Sequence, residues 1–364
     1  IRFRDGRRTW VAQIRVHGAT RRLSLGDVRR IELEAARAAA RKFFAEATLG
    51  KDPAKARAEA RAKAAVTVGG VIEKYLAARK PAVRASTHGH IDRYLRRYFK
   101  QLHGYPIGAV TRRDIAIAIT SIAEERGKVS AARARSALSA FFSWALREGL
   151  AGESNPVEHT NVPSDEKPRE RTLAPAEIKA IWQVLPNNEF GQIVRLLFYT
   201  ACRRQEIGSL EWSEINFDKA LVTIPAHKMK GDREHKLPLI PEAIEILRSI
   251  PRRGGNPFVF GSGERGFAGW SYYHRHLCSC LRSMAHPTDW TLHDVRRSIR
   301  SELGELGVEP WVGEQILAHH RGGIEGIYNH AKLERQMRHA LELWADRLRT
   351  IVEDVETNVV AIRA

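Results

Sequence analysis

The chain has 364 residues, of which 43% are hydrophobic, so it is long enough for two or three domains with buried cores. No apolar run approaches the roughly 18 residues of a membrane span, and no signal peptide is recognisable. The three cysteines are too few for a disulfide framework, which favours a reduced cytoplasm. The net charge of +18 and the pI of about 10.2 favour a polyanionic partner.

The basic excess is concentrated in the first part of the chain. Residues 1–65 carry 17 Lys and Arg against 7 Asp and Glu, and residues 66–163 carry 15 against 8. Residues 164–364 are almost neutral, with 28 against 27. A basic surface can serve solubility alone, but this asymmetry favours a nucleic-acid footprint in the first two segments.

Residues 1–65 are predicted to form a small sheet with one helix. Alternating apolar residues indicate a half-buried strand, a turn and a second strand that pairs back, at residues 10–16, 17–20 and 21–25. An alanine-rich helix is predicted at residues 32–49, and a charged helical linker follows to residue 65. Because the chain begins inside the strand-rich part, we expect the natural N-terminus to lie upstream of Ile1.

Residues 66–163 are predicted to form a helical bundle, since apolar residues recur there at helix spacing. Thr111 is the predicted N-cap of one helix, with Asp114 at the third helical position. Another helix is predicted at residues 129–148. Asn-Pro, Val-Pro and Lys-Pro steps predict a linker over residues 155–171.

Residues 164–364 are predicted to combine helices with one pair of strands. The strands, at residues 221–225 and 235–239, are joined through Gly231 and Asp232. Helices are predicted at 173–185, 193–200, 241–249, 269–284, 292–306, 309–318 and 333–352. The predicted fold class is therefore multidomain and mostly α, with small β-sheets.

Six residues in the second half have the side chains that a metal-free, phosphodiester-cutting site needs: Arg203, Lys230, His293, Arg296, His319 and Tyr328. Arginine forks suit two phosphate oxygens, lysine and histidine can move protons, and tyrosine can be a nucleophile. His293 and Arg296 are three residues apart, so they share one face of a helix.

The motifs around these residues resemble those of the tyrosine recombinases, the integrases of phages and other mobile elements. The matching stretches are residues 200–215, 228–239, 291–298, 316–320 and 326–330. Ala201 and Ala318 stand where glycine is usual in the family. The first of these is a small departure at a tight corner that leaves the position of the following arginine intact.

The resemblance implies a covalent mechanism. Tyr328 attacks a DNA phosphorus, a 3′-phosphotyrosyl link forms and the 5′-hydroxyl leaves. Lys230 would protonate the leaving oxygen, and His293 would take the tyrosine proton. Lys228 is an alternative to Lys230, because strand alternation is expected to put both lysines on one face.

The resemblance also implies a cationic site that needs no metal or other cofactor. Arg203, Arg296 and His319 would stabilise the charge of the pentacoordinate phosphorane. Glu206 would support and orient Arg203. His320 is an alternative to His319, and Arg204 is interpreted as a DNA contact or a surface residue.

Three domains are expected from the resemblance: an arm-type DNA-binding domain with a helical linker (1–65), a helical core-binding domain (66–163) and an α+β catalytic domain (164–364). The amphipathic C-terminal helix is expected to pack either on a neighbouring subunit or on its own domain. The expected partners are double-stranded DNA attachment sites, further copies in a tetramer on DNA, and an excisionase or a host DNA-bending protein.

The implied function is integration or excision of a prophage or genomic island, in the nucleoid of a bacterial cytoplasm and without any membrane. A type IB topoisomerase-like activity would use the same chemistry on one duplex. A non-catalytic DNA-binding regulator on the same scaffold is a third hypothesis.

Overall fold

A computed structural model of the chain describes residues 1–16, 19–49, 53–164, 169–319 and 330–353. The chain divides into two units, Ile1–Lys167 and Pro168–Ala364. Helices predominate in both units, and each contains a three-stranded antiparallel sheet, which confirms the predicted fold class. Within the described ranges, every helix is too short or too polar to cross a bilayer.

The first sheet packs against one helix. Its strands are β1 (Arg2–Arg4), β2 (Arg7–Val16) and β3 (Ala19–Asp27), and the helix is α1 (Leu33–Thr48). Ala12 of β2, Leu23 of β3 and Phe43 of α1 form its small buried core. The four-residue turn predicted at 17–20 is wrong in its length, because β3 already begins at Ala19, opposite Val16.

The rest of the first unit is helical. Its longer helices are α2 (Pro53–Ala65), α3 (Val68–Arg79), α4 (Ala85–Arg93), α5 (Arg112–Arg126) and α6 (Lys128–Arg147). A π-helical turn, Tyr94–Tyr98, follows α4. The predicted N-cap of α5 is confirmed: Thr111 Oγ1 accepts from Asp114 N at 3.3 Å, and Asp114 Oδ2 accepts from Thr111 N at 2.9 Å.

The first half of the predicted proline-rich linker is instead part of this bundle. Asn155 is buried, and its Nδ2 donates to Ser139 O and Ser143 Oγ, both at 3.0 Å. Arg135 Nε donates to Thr160 Oγ1 at 2.9 Å. The proline steps indicated an irregular backbone correctly, but side chains of α6 hold that backbone in place.

The second unit surrounds a larger core. Its helices are α7 (Pro175–Val184), α8 (Glu189–Thr200), α9 (Arg204–Gly208), α10 (Pro241–Ser249), α11 (Trp270–Ser283), α12 (Leu292–Glu305), α13 (Pro310–Ile316) and α14 (His330–Glu353). Its strands pair in the order β4 (Ile215–Asn216), β5 (Leu221–Ile224) and β6 (His235–Pro238). Helix α9 and strand β4 have only five and two residues and were not predicted from the sequence.

Helix α14 packs on its own unit, which is one of the two arrangements expected for it. Trp344 is fully buried and its Nε1 donates to Phe198 O in α8 at 2.6 Å. Arg338 Nη1 donates to Leu239 O, just after β6, at 2.9 Å. The apolar stripe of α14 therefore contributes to the core of the second unit.

Two helices end at an alanine in the left-handed backbone conformation. Ala201 follows α8 with a φ of 52°, and Ala318 lies just after α13 with a φ of 49°. Ala201 N donates to Leu197 O at 3.0 Å, and Ala318 N donates to Gln315 O at 2.9 Å, so both corners cap helix carbonyls. Glycine is favoured in this position because a Cβ is strained there.

We expect Ala201→Gly and Ala318→Gly each to raise the free energy of unfolding by about 1 kcal/mol, since glycine relieves the strain of the left-handed backbone. Urea denaturation of the full chain measures the change. Ala243→Gly, in the interior of α10, is the matched control and should lower stability by about 1 kcal/mol. Lower stability in both corner variants would contradict the strain argument.

Candidate functional site

Arg203 lies at the turn between α8 and α9 and is held by one carboxylate. Glu206 is buried; its Oε2 accepts from Arg203 N at 2.7 Å, and its Oε1 accepts from Arg203 Nη1 at 2.6 Å. The neighbouring Cys202 is also buried, and burial together with the Glu206 charge raises the pKa of its thiol to about 12. The acid thus fixes both the backbone and the guanidinium of Arg203, beside a thiol that stays protonated.

Helix α12 begins with a capping box that orients its first turn. Asp294 Oδ2 accepts from Thr291 N at 2.8 Å and from Thr291 Oγ1 at 3.0 Å. Arg297 and Arg169 pair with the same buried carboxylate at 2.7 and 3.1 Å. Burial alone would raise the pKa of Asp294, but the contacts from Thr291, Arg297 and Arg169 outweigh it and lower that pKa. The first turn, which carries His293, is therefore firmly placed.

Arg296, one helical turn further along α12, joins both alanine corners. Its Nη1 donates to Ala201 O at 2.5 Å, and its Nη2 donates to Leu317 O. Nη2 also lies 3.3 Å from His319 Nε2. One guanidinium, only 3% exposed, thus fixes the corner before Arg203 and the corner before His319.

Positive charge is concentrated at this site. Burial, reinforced by the nearby charge of Arg203, lowers the pKa of Arg296 to about 10. His293 is exposed, yet partial desolvation and the guanidinium groups of Arg297 and Arg296 lower its pKa, so it is neutral near pH 7. Among the described residues no carboxylate forms an ion pair with Arg296. Arg203, His293, Arg296 and His319 therefore form one cluster in which a bound anion would be stabilised.

Two residues singled out from the sequence, Tyr328 and His320, lie outside the described residues. In sequence, Tyr328 follows His319 by nine residues and precedes the first residue of α14, His330, by two. Within the described ranges, no group of three or more His, Cys, Asp or Glu side chains is arranged to hold a metal ion.

Lys228 and Lys230 have different surroundings. The expectation that they share one face of a strand is wrong, because a 3-10 turn ends at Lys228. The Lys228 ammonium donates to Ser209 O and to Glu211 Oε1, both at 2.8 Å, and lies 2.7 Å from Glu214 Oε1. Lys230 is exposed, and its ammonium forms no ion pair with a residue that the structure describes. Of the two lysines, only Lys230 has an ammonium available to an incoming molecule.

Two residues at this site were not singled out from the sequence. Arg169 comes just before α7 and pairs with Asp294, and no local pattern indicates this contact across 125 residues. Glu314 of α13 pairs with His319 Nδ1 at 2.9 Å. Glu314 precedes His319 by five residues across a helix end, and this spacing could have predicted the contact.

Three family models match the chain. The arm DNA-binding domain matches residues 1–60, the phage integrase central domain matches 69–161, and the phage integrase family model matches 171–335. The chain belongs to the phage integrase family. The resemblance inferred from the motifs is therefore confirmed.

Individual relatives are similar at a moderate level. The prophage integrase IntZ of Escherichia coli K12 is 28% identical over 250 residues, which cover 67% of this chain and 61% of that protein. The integrase of Shigella phage Sf6 is 27% identical over 241 residues, covering 62% and 60%. The chain thus spans about three fifths of the length of these relatives.

Solved structures share the fold at low sequence identity. A lambda integrase tetramer bound to a Holliday junction aligns with a TM-score of 0.59 at 19% identity, over 88% of this chain and 95% of that chain. The integrase of transposon Tn1549, in complex with circular intermediate DNA, aligns with a TM-score of 0.55 at 18% identity, over 73% and 96%.

We expect Lys228→Met to destabilise the second unit by on the order of 2–4 kcal/mol, because it leaves the carboxylates of Glu211 and Glu214 without their counter-charge. Thermal unfolding measures the loss. Lys230→Met is the matched control and should leave the unfolding temperature within a degree or so, since its ammonium is exposed. Equal effects of the two substitutions would contradict the assignment of Lys228 as the structural lysine.

Proposed function

We propose that this protein is a site-specific DNA recombinase that integrates or excises a mobile element through a covalent 3′-phosphotyrosyl intermediate. The observation that carries the proposal is the cluster around Arg296. A buried guanidinium beside a second one, bonded to carbonyl oxygens and a histidine rather than to a carboxylate, favours an external anion. A DNA phosphate is the anion that the membership of the phage integrase family favours.

The two arginines and His319 would act on the phosphate. Glu206 occupies Nη1 of Arg203, which leaves the other N–H groups of this partly exposed side chain for phosphate oxygens. Arg296 is fixed from two sides, so little reorganisation is needed when charge develops on the phosphorane. His319, about half exposed, lies beside Arg296 and would contact a third oxygen.

Proton transfer would be divided between two other residues. A phenol has a pKa near 10, so Tyr328 needs a base to become a nucleophile. His293 is suited to that role, because its lowered pKa leaves it able to accept the phenolic proton. Lys230, with its exposed ammonium, would give a proton to the leaving 5′-oxygen.

We further propose three functional parts with boundaries near residues 65 and 163. The arm-type and core-binding parts, with net charges of +10 and +7, would supply most of the phosphate contacts that hold DNA, and the catalytic part would supply the chemistry. Binding to non-specific duplex should accordingly weaken steeply as salt rises.

The proposed substrate is a pair of double-stranded attachment sites, brought together by four copies of the chain. Support for this assembly comes from lambda integrase, which has been solved both as a dimer bound to a core site and as a tetramer bound to a Holliday junction. An excisionase or a host DNA-bending protein would set the direction of the reaction. We propose that the reaction takes place in the nucleoid of a bacterial cytoplasm.

A nicked suicide substrate tests the nucleophile. After cleavage the short 5′-hydroxyl strand diffuses away, so the wild-type protein should accumulate as a covalent adduct on denaturing gels. Tyr328→Phe should abolish the adduct, since phenylalanine has no hydroxyl to attack the phosphorus. Tyr272→Phe, an exposed tyrosine in α11, is the matched control and should leave the yield unchanged.

The same assay separates the competing functions. An undiminished adduct in Tyr328→Phe would eliminate Tyr328 as nucleophile, and a wild-type protein that binds DNA without any adduct would be a non-catalytic regulator. Exchange of strands between two labelled duplexes distinguishes a recombinase from a topoisomerase-like enzyme, which acts on one duplex.

A sulfur-substituted substrate tests Lys230 as the proton donor. Lys230→Met should slow cleavage of ordinary DNA by about 10²–10⁴-fold. A bridging 5′-sulfur leaves as a thiolate, whose conjugate acid has a pKa of about 8.5, so it needs no proton and the deficit should shrink to a few-fold. Lys236→Met, in the neighbouring β6, should behave like wild type on both substrates. An equal deficit on both substrates would assign Lys230 another role.

A further inference from the structure

Glu314 and His319 meet because of the way α13 ends. With Ala318 in the left-handed conformation, Ala318 N donates to Gln315 O at 2.9 Å and His319 N donates to Glu314 O at 2.8 Å. This pair of bonds is a Schellman motif, which folds the chain back over the last turn of the helix. Residues five apart in sequence are thereby brought side by side.

The side chains then form a hydrogen-bonded series that ends at the phosphate-binding guanidinium. Glu314 Oε2 lies 2.9 Å from His319 Nδ1, and Arg296 Nη2 lies 3.3 Å from His319 Nε2. An arginine N–H can only donate and an ionised carboxylate can only accept. Nε2 must therefore be the acceptor and Nδ1 must carry the proton, so the two partners specify one tautomer of the ring.

Glu314 is held ionised and oriented by a second partner. Its Oε1 accepts from Arg300 Nε, on the neighbouring α12, at 2.8 Å. Burial alone would raise the pKa of Glu314, but the hydrogen bonds from Arg300 and His319 outweigh it and lower that pKa. Each carboxylate oxygen has one donor, so the carboxylate cannot rotate without losing a bond.

We propose that Glu314 is a positioning residue for strand cleavage, which fixes the tautomer and the ring orientation of His319 so that Nε2 faces the phosphate site. This inference rests on the proposed function. A phosphate oxygen would accept from Nη2 of Arg296 in place of His319 Nε2. Nε2 could then donate to the phosphate only after it gains a proton from solvent, while Nδ1 of His319 keeps its proton. The Glu314 carboxylate is then the counter-charge of the resulting imidazolium.

A purely structural role for Glu314 makes a different prediction. In that role the carboxylate would act only by holding two helices together, because its bond to Arg300 joins α13 to α12. Arg300→Met removes that connection and leaves the bond to His319. Glu314→Gln retains the size of the side chain but offers one acceptor oxygen to two donors, so it disturbs the contact with His319.

The kinetic test is a double-mutant cycle on the suicide substrate with the full chain. We expect Glu314→Gln to slow adduct formation by about 10–100-fold, by analogy with the loss of a partner that orients a metal-ligating histidine. In the His319→Gln background the same substitution should cost less than about twofold, because the ring on which it acts is gone. Arg300→Met should cost much less than Glu314→Gln. Thermal unfolding and DNA binding of each variant exclude misfolding as the cause.

Equal slowing by Glu314→Gln in both backgrounds, or by Arg300→Met and Glu314→Gln alike, would overturn the positioning role. A second measurement needs no activity: the ¹⁵N chemical shifts of the His319 ring, assigned by His319→Gln, in histidine-labelled protein without DNA. Wild type should show a protonated Nδ1 and an unprotonated Nε2, and Glu314→Gln should show a tautomer mixture. Unchanged His319 ring shifts in Glu314→Gln would contradict the inference, even if Tyr328 still forms the adduct. Absence of any wild-type adduct counts against the proposed function instead.

Discussion

The second unit depends on a buried positive charge that is solvated by backbone carbonyl groups. Arg296 contacts the carbonyl oxygens of Ala201 and Leu317, so a single guanidinium ties the end of α8 and the end of α13 to α12. Carbonyl dipoles stabilise the buried cation without cancelling its charge. An ion pair with a carboxylate would cancel the positive potential that attracts an anion. Fold stability and anion binding thus place opposite demands on Arg296, and carbonyl oxygens satisfy both.

The two alanine corners that Arg296 contacts also position the cationic side chains that follow them. A left-handed residue ends each helix, and Arg296 of α12 contacts one carbonyl oxygen at each corner. Arg203 lies two residues after Ala201, and His319 directly follows Ala318. Each of these side chains then receives a carboxylate from its own neighbourhood, Glu206 for the arginine and Glu314 for the histidine. Glu206 contacts Nη1 of Arg203, and Glu314 contacts Nδ1 of His319, so each acid orients its partner and leaves other nitrogen atoms of that side chain for a ligand.

Local features of the sequence were predicted well, and contacts between distant segments were not. The capping box of Thr111 and Asp114 spans three residues, so the sequence contains all of it. The apolar stripe of α14 was evident, but its packing on its own unit depends on Phe198, which lies 146 residues before Trp344. Lys228 was assigned to a strand face because alternation carries no information about Glu211 and Glu214, its distant partners. The motif residues were found because the residues around them resemble the motifs of a known family, whereas Arg169 lies in no such motif.

The buried thiol beside Arg203 has a consequence for redox chemistry. The thiolate is the reactive form of cysteine, and burial keeps both Cys202 and Cys278 protonated, with raised pKa values. Cys280, on α11, is the only one of the three cysteines that is partly exposed. Oxidants and thiol-reactive dyes should therefore react with the protein at α11 and leave Cys202, beside Arg203, unmodified. Among the three cysteines of this sequence, Cys280 is thus the one suited to fluorescent labelling, and Cys202 does not need to be replaced.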